Sequence, residues 1–111
     1  MNVTILPIPT SSRELLANAN GWRETVVPPG TSIAKHYHDF QAFYYTFGIP
    51  KMKTDEGEVT LPEAAMVVVP SGVVHGWIGP DCQLGSAVGH FHEGHGYHYV
   101  EENENSAVLN N

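Results

Sequence analysis

The chain has 111 residues, of which 41% are hydrophobic; this suits one domain with one core and leaves no room for a second folding unit. Lysine plus arginine total 5 against 12 aspartate plus glutamate, for a formal net charge of −7, which repels a phosphate backbone or an anionic lipid surface and excludes nucleic acid and membrane as expected partners. Cys82 is the single cysteine, the N-terminus has no basic region followed by a long apolar run, and the apolar stretch Ala64 to Val69 is closed by Pro70 well short of the roughly 20 residues of a membrane span, so a soluble, cytoplasmic protein is expected.

With 11 glycines and 8 prolines cutting the sequence into short apolar segments, the pattern predicts an antiparallel all-β domain without long helices. Residues 1–20 read as an N-terminal arm with one short helix over Ser11 to Asn18. Ser11 or Ser12 can cap its start, Glu14 suits its first turn, and Leu15, Leu16 and Ala17 are good helix formers. Residues 21–100 read as the barrel domain. Its strands are expected near Trp22 to Val27, Ser32 to His38, Gln41 to Phe47, Glu58 to Leu61, Met66 to Val69, Val74 to Ile78, Leu84 to His92 and Tyr97 to Val100. Turn chemistry separates them at Pro28-Pro29-Gly30, Asp55-Glu56-Gly57, Pro70-Ser71-Gly72 and Gly79-Pro80-Asp81. Residues 101–111 are polar and acidic apart from Ala107, Val108 and Leu109, and read as a frayed tail.

The 7 histidines are grouped: His36 with His38, His75 alone, and His90, His92, His95 and His98 together. On a strand, side chains alternate faces, so Ser32, Ala34, His36 and His38 share one side while Ile33, Lys35 and Tyr37 take the other. Two imidazoles then converge beside two small residues, which suits a cavity. A third imidazole can come from His75, just after the Pro70-Ser71-Gly72 turn. A single histidine on a strand is usually a half-buried polar group with an ordinary hydrogen bond. Three neutral nitrogens at one point instead make a site for one divalent transition metal, with Fe, Mn, Ni, Cu and Zn all compatible.

Two patterns carry a resemblance. The first is Gly30, five residues, His36-Tyr37-His38 and a closing Gly48; the second is Pro70-Ser71-Gly72-Val73-Val74-His75, a Pro-x-Gly-x-x-His motif matched at every specified position. In these residues the chain resembles the cupin family, from Gly30 to about Trp77. The resemblance implies a small antiparallel double-stranded β-helix, the jelly-roll barrel of cupins, with His36, His38 and His75 as metal ligands and two barrels paired as a homodimer. The family's glutamate ligand is missing, because the fourth residue after His38 is Ala42. Gln41 is the nearest substitute: six residues separate it from Gly48, as in the family, which suggests a one-residue deletion between His38 and the ligand position. Its amide oxygen would be a weak ligand, or a hydrogen-bond partner of a metal-bound water. The glycine that usually opens the second motif is replaced near Ala64, and the asparagine that often follows is Gly79.

If Gln41 points inward, so do Phe43, Tyr45 and Phe47, forming an apolar wall in which Tyr45 offers a hydroxyl. Trp77 shares the face of His75 and can floor the same pocket. His90 and His92 also share a face, so His92 is a weaker candidate ligand and His90 a pocket residue; His90-Phe91-His92 after the second motif also resembles the closing strand of AraC-type sensor domains. Three imidazoles leave the metal its full dipositive charge, which favours anionic ligands. The expected function is therefore binding of a small anionic or carbonyl-bearing molecule at a His-ligated metal. The alternative is an Fe(II)-dependent dioxygenase, as three-histidine sites resemble those of thiol and diketone dioxygenases, or a metal-assisted isomerase. Binding leads because the only arginines are Arg13 and Arg23, and Lys35 points off the histidine face.

Overall fold

The computed structural model describes residues 3–90, 96–100 and 106–107. In chain order it contains β1 (Thr4–Pro7), a 3-10 turn (Thr10–Ser12) running into α1 (Arg13–Ala17), then β2 (Trp22–Val27), β3 (Ser32–His38), β4 (Ala42–Phe47), β5 (Lys51–Thr54) and β6 (Gly57–Thr60). β7 (Ala64–Val69), β8 (His75–Ile78), β9 (Gly85–His90), β10 (Tyr97–Tyr99) and β11 (Ser106–Ala107) follow. β2 and β3 have the bounds that their alternation and flanking turns predict. No helix among the described residues is long and apolar enough to cross a membrane.

The strands form two sheets, with orders β1-β7-β4-β9-β2 and β10-β3-β8-β5-β6. Apart from the edge strands β1 and β10, each sheet keeps four strands, β2-β9-β4-β7 facing β3-β8-β5-β6. These are the two interleaved four-stranded sheets of a jelly roll, so the fold is all-β and antiparallel, as expected. Among the described residues every ladder is antiparallel except that of β11, which pairs in parallel with Ser32 and Ile33 of β3. That pairing places Ser106 and Ala107 against the sheet, within the stretch that composition alone reads as frayed.

Two other strands have little sequence signature. β5 reads Lys-Met-Lys-Thr, so only Met52 marks its inward face, and Met52 is fully buried. It joins β6 through a tight turn in which Thr54 Oγ1 donates to the Gly57 carbonyl at 2.8 Å and accepts from the Glu56 amide at 3.1 Å. Gly57 takes the left-handed φ of 113° that this turn requires. β1 lies in the segment read as an arm, yet its residues pair with Ala65 to Val68 of β7. The helix is shorter than its composition suggests, and Ser12 makes no side-chain cap.

The main core lies between the sheets and includes Val27, Ile33, Ala42, Tyr44, Met52, Val67, Val69 and Trp77. A second cluster sits on the other face of the five-stranded sheet, where Phe47, Ala64 and Val88 are covered by Ile8 and Leu16 with Trp22 and Tyr45 alongside. The N-terminal segment is thus a lid on one sheet, hydrogen-bonded through the Ile8 amide to the Ala64 carbonyl at 3.0 Å.

Candidate metal centre

His36 and His38 come from β3 and His75 from the adjacent β8, and their alignment depends on a bulge. Ile33 pairs with Trp77 and His36 with His75, so three residue steps on β3 oppose two on β8. The extra residue reverses the alternation within β3. Ile33 and Ala34 are both buried, His36 and His38 follow inward, and Ser32 is only half-buried. The simple alternation that puts Ser32 with the histidines and Ile33 opposite them is corrected here: the bulge brings Ile33 into the core without moving the two histidines off the inner face.

Gly76 sits under this bulge. A Cβ there would lie 2.7 Å from the Ile33 carbonyl oxygen and 3.2 Å from the Lys35 amide nitrogen, so no side chain fits without displacing β3. The Pro70-Ser71-Gly72 turn fixes the other end of the site. Gly72, at a φ of 80°, donates its amide to the His38 carbonyl at 2.8 Å. The second motif is thereby tied to the backbone of the first.

His36, His38 and His75 are 0%, 2% and 0% exposed, and each offers a ring nitrogen within 4.8 Å of those of the other two. Backbone carbonyls set two of the tautomers. His36 Nδ1–H donates to the Ala34 carbonyl at 2.8 Å, and His75 Nδ1–H to the Val73 carbonyl at 2.9 Å. Each Nε2 is left as the lone-pair atom, the arrangement by which metal-binding histidines are oriented. His36 Nε2 is buried without a hydrogen-bond partner. Burial holds the His36 pKa below its usual value and pulls that of His75 from 6.5 to about 3, with repulsion between the two rings adding to the second shift. His36 and His75 are therefore neutral near pH 7, each with an Nε2 lone pair.

Tyr44 crosses from the opposite sheet to meet them. Its hydroxyl lies 2.7 Å from His38 Nε2 and 3.2 Å from His75 Nε2. Because His75 Nδ1–H is committed to Val73, the hydroxyl donates to His75 Nε2 and accepts from His38 Nε2–H. Its ring packs edge-on against Trp77 at 4.9 Å. Burial, with Tyr97 and Tyr99 adding, pushes the phenol well above its ordinary pKa of 10.0. Around the histidines, Phe40 stacks on His38 at 4.9 Å, Tyr97 meets it edge-on at 4.4 Å, and Tyr99 lies 5.6 Å from His36.

The inward set of β4 is therefore the reverse of the expected one. Ala42, Tyr44 and Thr46 are buried toward the core, whereas Gln41 is exposed and Phe43 is 41% exposed. Gln41 as a metal ligand is thus corrected, because an exposed amide ahead of β4 does not join three buried imidazoles. Phe43 and Tyr45 as pocket walls are corrected for the same reason: they lie on the outer face, where Tyr45 packs on Trp22 at 5.3 Å. Trp77 lies within the barrel, 5.9 Å from the His75 ring. His92 and the side chain of His90 lie outside what is described. His98 is exposed and bonded to Asp39 at 2.9 Å, away from the site.

Tyr44 was hidden from sequence reasoning by the assignment of Gln41 to the inner face. Its available signal was the alternation of β4 itself, which puts Tyr44 on the same face as the small Ala42. Lys53 was also missed, although its charge helps to lower the His36 pKa; it is reached only through β5. No protein-family model matches the sequence, and no curated protein matches it.

Proposed function

We propose that this chain is a small metallocupin that holds one divalent transition metal on His36, His38 and His75 and binds a small anionic or carbonyl-bearing molecule beside it. The observation that carries this reading is the convergence of three fully buried imidazoles, two with their Nδ1 atoms tied to carbonyls and His36 Nε2 without a partner. A buried nitrogen lone pair with nothing to accept from is costly, and a cation is the partner that this donor set fits. A bound metal would supply Lewis acidity, drawing an oxygen or sulfur anion to the site. The protein's part is to orient the imidazoles through Ala34 and Val73 and to exclude water with Phe40, Trp77, Tyr97 and Tyr99.

Binding is placed ahead of the enzyme readings because no carboxylate among the described buried residues stands beside the histidines as a general acid or base. The buried polar side chains described are His36, His38, Thr46, Thr54, His75 and Ser86, with no carboxylate among them. Arg13 is engaged by Glu24 at 2.9 Å on the far side of the five-stranded sheet. Pairing of two copies belongs to the same proposal. Leu6 and Phe43, 49% and 41% exposed on that sheet's outer face, support it, and light scattering at the mass of two chains is the expected result.

The test is the metal content of untagged protein, purified and then incubated with each candidate ion, against the variant His36→Ala/His75→Ala. About one ion per chain, lost in the variant, is expected. A wild type that binds no metal under any of these conditions contradicts the proposal.

A further inference from the structure

We propose that Tyr44 is the fourth protein ligand of the metal, its phenol oxygen supplying the anion that the missing carboxylate does not; this rests on the three-histidine reading above. Position is the first argument. Ala42, where the cupin pattern has its glutamate, faces inward but ends at Cβ and cannot reach the histidines. Tyr44 is the next residue on the same face of β4, and its oxygen is already in contact with two of the three imidazoles, from the opposite sheet.

Distance is the second argument. Two ligand atoms about 2.1 Å from one ion and at right angles to each other are about 3.0 Å apart. The Tyr44 oxygen lies 2.7 Å from His38 Nε2 and 3.2 Å from His75 Nε2, the spacing of neighbours around a single ion. Its ring is held against Trp77, so the oxygen is positioned before any metal arrives.

Charge is the third. A dipositive ion on three neutral imidazoles inside the barrel would keep its whole charge in a water-poor interior, which is unfavourable without an anion. No carboxylate is among the described buried residues, and Cys82 is exposed. Ligation by Tyr44 breaks the phenol O–H bond, forms an oxygen–metal bond and passes one proton to solvent, while the His38 Nε2 proton moves to Nδ1 with no change of charge, so the site's charge falls from +2 to +1. A bound cation reverses the cost that burial otherwise places on the phenolate. A six-coordinate metal then keeps two positions for an added ligand.

The test uses the full chain stripped of metal and reloaded with Cu(II) or, separately, Fe(III), with stoichiometry fixed by mass spectrometry. A phenolate-to-metal charge-transfer band in the visible is expected. It should be lost in Tyr44→Phe while that variant keeps its metal, and retained in Tyr97→Phe and Tyr99→Phe. Metal bound to the wild type without the band overturns the inference and leaves the three-histidine site intact, as does a band that survives in Tyr44→Phe. A wild type that binds neither ion overturns both. If Tyr44→Phe does not fold, resonance Raman of the loaded wild type decides: tyrosinate ring modes enhanced within the band support Tyr44 ligation, and their absence refutes it.

Discussion

His75 lies fully buried between Tyr44 and Trp77, and desolvation first, then the neighbouring His36, bring its pKa to about 3. In the unfolded chain both histidines return to about 6.5. Below that value the unfolded state takes up protons that the metal-free fold refuses, so their contribution to stability is complete above about pH 6.5 and declines as the pH falls, for His75 down to about 3. Each such histidine contributes a slope of up to about 1.4 kcal/mol per pH unit. The melting temperature of metal-stripped protein should therefore fall steadily from about pH 7 to pH 5, and less steeply in His75→Gln. A flat profile would show that these imidazoles are hydrated. At the same scale, Gln41→Ala should leave metal content unchanged, because Gln41 is exposed; loss of metal in that variant would restore it as a ligand.

At the scale of strands, the bulge between Ile33 and His36 sets which residues of β3 face inward. Gly76 makes the bulge possible by bringing β8 close to the Ile33 carbonyl. Gly76→Ala should cost about 1–3 kcal/mol, the usual range for forcing atoms into a packed region, and should lower metal content along with melting temperature by shifting His75 relative to His36. A variant with unchanged melting temperature and metal content would mean that β3 yields freely. The bulge also explains what the sequence conceals. Period-two alternation finds His36 and His38 correctly because both follow the extra residue, and it misplaces Ile33 and Ser32 because they precede it. On β4 a spacing argument anchored at Gly48 selected Gln41, and one residue of error turned the whole strand over. Turn residues were the more dependable guide: Gly30, Gly48, Gly57 and Gly72 all adopt positive φ at the expected strand ends.

For the whole molecule, the two-sheet arrangement was readable because it depends on many short alternating segments, each bounded by glycine or proline. Strands β1, β5 and β11 are less evident, since their place is decided by pairing with strands distant in sequence. The site itself draws on both sheets, with the histidines on one and Tyr44 on the other. Metal binding should therefore link the two halves of the barrel and stabilise the fold as a unit. A ligand at 100 times its dissociation constant adds about 2.7 kcal/mol, which for a domain near 100 residues raises the melting temperature by roughly 10 °C or more. A melt with excess metal that coincides with a melt in chelator would contradict this linkage.

X-ray absorption at the metal edge of the loaded protein examines the centre directly. The expected spectrum shows imidazole scattering from three histidines together with an oxygen ligand, at about 2.0–2.1 Å. A first shell containing sulfur, or one dominated by oxygen with fewer than two imidazoles, would place the metal elsewhere on the protein and contradict the site built from His36, His38 and His75.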